Sequence, residues 1–195
     1  MTTTENKNDA PTESFASASA WEKWLAANHA KSDGVWLRFF NKESGEKTVT
    51  YAEALDEALC YGWIDGQKQK FDDNSWLQKF TPRRARSIWS KRNVEHIERL
   101  TNEKRMKPAG LKAFEDAKND KRLAAAYDSP SNSTTPDDFL KLLEKNEKAK
   151  AFFDSLNKTN KYAITWRLQT AKKPETRDKR MNIILEMLAK GEKFH

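Results

Sequence analysis

Apolar residues along this chain fall into short groups whose spacing changes along the sequence. Ser19 with Glu22 has the form of a capping box, followed by Trp21, Trp24 and Leu25 at helical spacing. Val35–Trp36–Leu37–Arg38–Phe39–Phe40 is β-branched and aromatic, bounded by Gly34 and the polar Asn41–Lys47 run, and reads as a strand. Thr50 and Glu53 make a second capping box, opening a helix through Ala54, Leu55, Ala58 and Leu59 that stops at Gly62. Trp63–Lys70 and Ser75–Thr81 flank Asp72–Asp73–Asn74, which is hairpin chemistry, and Pro82 ends the second arm. A helix is expected from about Ser87 to Arg105, and Pro108 suits the first turn of the next, with Leu111, Phe114 and Ala117 inward.

Ser129–Thr135 (SPSNSTT) is the clearest loop. Beyond it the pattern is helical throughout: Pro136–Asn146, Glu147–Leu156, Thr159–Ala171 and Pro174–Lys190. Met181, Ile184, Leu185 and Leu188 stripe the last of these, and Gly191 closes it. The predicted fold class is α+β, with a small antiparallel sheet and helices in the N-terminal part and an all-α C-terminal part. The expected organisation is a disordered polar tail over residues 1–14, an α+β domain over 15–128 and a helical domain over 136–195.

Composition narrows the partners. The 195 residues are 37% apolar and 33% charged, so burial must rest on large side chains such as the seven tryptophans. A net charge of +7 favours anionic partners. One cysteine, Cys60, excludes an internal disulfide and fits a reducing compartment. No run approaches the length of about 20 apolar residues that spans a bilayer, and the N-terminus lacks a signal-peptide pattern, so a cytoplasmic protein without membrane insertion is expected.

Candidate chemistry concentrates between Tyr61 and Asn93, which holds three tryptophans. From Asn74 to Val94 there is no acidic residue, yet Lys79, Arg83, Arg84, Arg86, Lys91 and Arg92 are present. Thr81–Pro82–Arg83–Arg84–Ala85–Arg86–Ser87 leads into the expected helix start, where free N–H groups and the dipole suit a phosphate or carboxylate. On a helical wheel begun at Ser87, Trp89, Asn93, Val94, Ile97 and Leu100 share one arc with Ser90. Ser90 and Asn93 either tie this helix to the hairpin or line a pocket floor with Trp89. Asp65, in a strand bounded by glycine, either pairs with an arginine of the basic segment or faces ligand. The expected ligand-binding set is Tyr61, Trp63, Asp65, Arg83, Arg84, Ser87, Trp89, Ser90 and Asn93.

Catalytic candidates are few. His29, His96 and His195 lack metal-like spacing with Cys or carboxylates, no cofactor is indicated, and Cys60 reads as an inert buried thiol. His96 follows Asn93 by three and has the position of a helix-rim acid or base. Walker, Gly-x-Gly-x-x-Gly and nucleophile-elbow motifs do not occur. A second acid-free run, Ser155–Pro174, carries Lys158, Lys161, Arg167, Lys172 and Lys173.

Four stretches together, YAEALDEALCYGWIDGQ, FTPRR-x-R-S-x-WS-x-x-N, RMKPAGLKAFEDAK and AITWRLQTAKKPETRDKR, resemble the YdeI/OmpD-associated family, also called bacteriocin-protection proteins. The resemblance runs from about Gly34 to the C-terminus. It departs at Asn119–Leu123, where a Gly-Arg-Trp type segment is expected. The family name implies protection against antimicrobial peptides, a form of stress resistance, and association with a porin. The reading that combines these signals is a non-catalytic binding protein for a small anionic or aromatic ligand or an acidic peptide. In that reading Arg83 and Arg84 hold the anion and Trp63 and Trp89 stack. Nucleic-acid binding through the two basic runs is the alternative.

Overall fold

A computed structural model describes residues 10–194. Its contacts divide into two units: one runs to Ser87 and takes in Asn93–Lys121, the other joins Ile88–Arg92 to the chain from Arg122 onward.

The first unit contains β1 (Thr12–Glu13), α1 (Ala18–Asn28), β2 (Val35–Phe40), one turn of 3-10 helix (Lys42–Ser44), α2 (Tyr51–Cys60), β3 (Trp63–Lys70) and β4 (Ser75–Pro82). It also takes most of α3 (Lys91–Asn102) and α4 (Pro108–Asn119). The strands lie in the order β1-β2-β4-β3, with β2, β4 and β3 antiparallel as expected. The sheet is nevertheless mixed, because β1 pairs parallel with β2. Thr12 and Glu13 therefore correct the expectation of a disordered tail to residue 14: Trp36 N donates to Pro11 O at 2.8 Å and holds this segment to the edge. Residues 1–9 of that tail lie outside the described residues.

Strand alternation decides what is buried. Val35, Leu37 and Phe39 are sealed in the core while Trp36, Arg38 and Phe40 are half-exposed, which is the period-two pattern of a half-covered sheet. Trp21 on α1 stacks on Trp24 with centroids 5.2 Å apart. A buried indole N–H needs an acceptor. Trp21 donates to Ala54 O at 3.0 Å, tying α1 to α2, and Trp63 donates to His29 O at 3.1 Å. The α2 capping box forms as read, with Thr50 N donating to Glu53 Oε2 at 2.9 Å. The α1 cap differs: Ser17 Oγ, not Ser19, accepts from Ala20 N, and Glu22 pairs instead with Lys107 at 2.9 Å. At the far end of α2, α4 approaches closely through Gly110, where a Cβ would sit 2.2 Å from Cys60 O.

The second unit is helical: α5 (Asp137–Leu143), α6 (Glu147–Ser155), α7 (Lys158–Gln169) and α8 (Pro174–Ala189). Its core is made of Phe139, Leu143, Phe153, Ile164, Ile184 and Leu188 with their neighbours, all apolar. Ile184 and Leu188 of the expected α8 stripe are buried, and Met181 and Leu185 pack against them. No described helix is long and apolar enough to cross a membrane.

Candidate functional site

The turn after β4 is the best-defined basic feature of the first unit. Gly62, at φ 74°, ends the α2 region, and its carbonyl accepts from Arg83 N at 2.9 Å. A side chain at Gly62 would be strained by that φ and would meet Ala109 O at 3.0 Å. Beyond this anchor the chain folds on Ser87. Ser87 N and Oγ both donate to Arg84 O, at 3.0 and 2.9 Å, while Arg83 Nη1 donates to Ser87 Oγ at 3.1 Å. Arg84 and Arg86 are exposed on this pinned turn and form no ion pair with a described acid.

Other members of the expected set have different surroundings. Tyr61 is buried, with its hydroxyl 3.4 Å from Glu22 Oε1. Trp63 is 1% exposed and meets Trp24 edge-on, so its ring is occupied by the core rather than offered to a ligand. Asp65 accepts from Tyr51 Oη at 2.7 Å, and Asp72 pairs with Arg38 at 2.7 Å; neither pairs with Arg83 or Arg84.

In the second unit Trp89 is 1% exposed and Ser90 is bridged to Tyr127. Tyr127 N donates to Trp89 O and Lys91 N to Tyr127 O, at 3.0 and 2.9 Å. Those backbone groups are committed to a strand-like pairing, so the helix starts at Lys91 rather than Ser87. This corrects the wheel: only Asn93 of the three polar or aromatic candidates lies in α3. Within the first unit, direct hydrogen bonds join Arg83, Arg84 and Ser87.

A charge cluster between α2 and α3 escaped sequence reading. Asp56, with its side chain 13% exposed, accepts from His96 Nδ1 at 2.8 Å and from Arg99 Nη2 at 2.6 Å. Arg105 reaches Glu57 at 2.7 Å and Glu103 at 3.2 Å. Burial works to raise the Asp56 carboxyl, but the hydrogen bonds from Arg99 and His96 outweigh it and hold it below the usual range. The four-residue Arg99–Glu103 spacing was a readable signal; the meeting of Arg99 with Asp56 across 43 residues was not. His96 is thereby bound into an ion-pair network. Cys60 is buried and its thiol is pushed up to about 12 by desolvation, which leaves it un-nucleophilic at neutral pH. Among the described residues no group of His, Cys, Asp or Glu is arranged to hold a metal ion, and His195 lies outside them.

A half-covered sheet unit with a pinned basic turn, followed by a helical unit with an apolar core, defines the class: a two-unit α+β protein. Residues 13–113, just over half of the chain, match the family described as Domain of unknown function (DUF8412), and the chain belongs to that family. Residues 132–191 match the family described as Bacteriocin-protection, YdeI or OmpD-Associated. The resemblance is therefore shown for the helical segment, while YAEALDEALCYGWIDGQ and the FTPRR motif fall in the part matched by the first family. No significant match occurs among curated proteins or among solved structures.

Proposed function

We propose that this protein is a non-catalytic binding protein whose Arg83–Ser87 turn takes the carboxylate or phosphate of a small anionic ligand or an acidic peptide. The observation that carries this reading is the pair of exposed guanidiniums, Arg84 and Arg86, on a turn held by Ser87 and by the Arg83–Gly62 backbone bond. A guanidinium fork matches a carboxylate or phosphate in two-point geometry, and a pre-set turn loses less entropy on binding. Trp63 and Asp65 brace the adjoining strand rather than touch ligand. Burial of the sole cysteine suits the cytoplasmic placement we assign to it. Any part in bacteriocin protection would run through such an acidic partner, because a net charge of +7 repels cationic peptides.

The test is fluorescence anisotropy with a labelled glutamate-rich peptide, beside thermal shift with citrate. Wild type should bind, and the Arg84→Ala/Arg86→Ala variant should lose affinity by about ten-fold or more. Equal binding by both proteins would remove the turn from consideration. The alternative, nucleic-acid binding, draws on the two acid-free runs. It predicts duplex affinity that falls steeply with salt and that weakens on loss of Lys158 and Lys161 as well as on loss of Arg84 and Arg86.

A further inference from the structure

Helix α7 carries two apolar faces, and the core of the second unit uses one of them. Ile164 and Leu168 are sealed in that core. Thr159, Tyr162, Ala163, Trp166 and Arg167 recur at helical spacing along a separate face of the same helix. A cavity of about 310 Å³ lies on this second face, with Phe194 as its remaining wall. Its size is at the small end of ligand pockets, which run from roughly 300 to 1,000 Å³. All of its lining residues belong to the second unit.

The walls are set by contacts outside the cavity. Tyr162 Oη donates to Asp128 O at 3.2 Å, and the Trp166 ring meets Tyr127 edge-on with centroids 6.1 Å apart. Gly191, at φ 74°, ends α8, and Glu192 N donates to Met187 O at 2.9 Å. Beyond that turn Phe194 packs, half-buried, against the helical core. Ala163 contributes only a methyl group, which leaves space beside the rings. The resulting surface is almost entirely apolar. Rings already held in place lose little freedom when a flat molecule is laid among them.

One charge borders this apolar space. Arg167 Cζ lies 5.8 Å from the centroid of the Phe194 ring, itself a wall of the cavity, so the guanidinium stands at the rim. Arg167 is exposed and forms no ion pair with a described acid. No described acidic side chain lines the cavity, and the run Ser155–Pro174 around Arg167 has none, so an arriving anion meets no like charge there. A guanidinium fork takes both oxygens of a planar carboxylate, and a single cation matches a monoanion better than a dianionic phosphate.

We infer that this cavity is a binding site for a small aromatic monocarboxylate. The ring lies among Tyr162, Trp166 and Phe194, and the carboxylate pairs with Arg167 at the rim. The site is separate from the Arg83–Ser87 turn and stands or falls without it.

The experiment is titration of the full chain with 2-naphthoate, followed by amide NMR shifts and calorimetry. Parallel arms are 2-naphthamide, which keeps the shape without the charge, and acetate, which keeps the charge without the ring. The naphthoate should bind with shifts centred on residues 159–167 and on Phe194, the amide about five-fold more weakly, and acetate not measurably. Arg167→Gln should lower naphthoate affinity to the level of the amide and leave amide binding unchanged. Ala163→Leu, which fills the cavity with a good helix former, should lose affinity for both by about ten-fold or more. Arg84→Ala/Arg86→Ala should bind the naphthoate as wild type does. Absence of shifts in 159–167, or undiminished affinity in Ala163→Leu, overturns the site. Equal affinity for naphthoate and amide, or undiminished naphthoate affinity in Arg167→Gln, overturns its assignment to a carboxylate. Loss of naphthoate binding in the double-arginine variant alone assigns that ligand to the turn and overturns this site.

Discussion

The two units of this chain differ in the polar ties that join their elements. In the first, indole N–H groups reach from one element to the backbone of another inside the core, as Trp21 does to Ala54 O, and the Asp56 carboxylate joining α2 to α3 has its side chain only 13% exposed. In the second, the large core side chains are apolar, with the small Thr165 buried beside them, and the Asp138–Arg177 pair joins the first turns of α5 and α8 with the aspartate side chain 55% exposed. A sheet covered by helices can be docked in several ways of similar hydrophobic burial, and directional donors in the core select among them. Helices with well-defined apolar stripes need less of this, so their ion pairs can sit at the surface, where each contributes little.

The sharpest way to break this comparison is Gly110→Ala. Its Cβ would stand 2.2 Å from Cys60 O, a backbone atom that cannot move aside as a flexible side chain would. We expect destabilisation of about 3 kcal/mol, at the upper end of overpacking effects. By hydrogen exchange, lost protection should concentrate at α2 and α4 while α5–α8 stay protected. Equal loss in α5–α8 would mean that the two units unfold as one.

A smaller effect tests where the carboxylates sit. Asp56 is held below its ordinary value of 3.8, so its contribution to stability is present above that pH and is lost as pH falls through the folded-state value. Asp56→Asn should therefore cost about 1–2 kcal/mol at neutral pH and flatten the decline of stability on the acid side. Asp138 is also held low, first by Arg177, but in a more exposed pair. Asp138→Asn should change stability by less than about 1 kcal/mol, and added salt should shrink that difference further. Chemical denaturation from pH 3 to 7 measures both, and equal effects would erase the contrast between the units.

The smallest expected effect is a gain. Lys121, in the segment where the resemblance called for Gly-Arg-Trp, adopts φ 62°, a left-handed conformation that glycine takes without strain. Lys121→Gly should stabilise by about 1 kcal/mol, read as a raised denaturation midpoint. No change would mean that the local fold already absorbs the strain.

Most of the architecture could be read from neighbouring residues. The β2 alternation, the Thr50–Glu53 box, the β3–β4 hairpin and the α8 stripe depend on spacing within one element, and a period of two or of 3.6 is written in adjacent positions. The start of α3 failed that test, since the backbone at Trp89 and Lys91 is claimed by Tyr127, a residue from another part of the chain. The surroundings of single candidate residues were hidden for the same reason. Arg83, Arg84 and Ser87 are close in sequence and were found together. Trp63 looked like a stacking ring until its surroundings, Trp24 and His29 from α1 and its cap, were known.

Local pattern therefore decided the elements, their order and the excess of positive charge, because each depends on the identity of residues a few positions apart. Tertiary structure alone decided which aromatics are core, which carboxylates have partners, and that Trp166, Arg167 and Phe194 border one cavity. Those outcomes depend on pairs separated by tens of residues, whose meeting no spacing rule encodes.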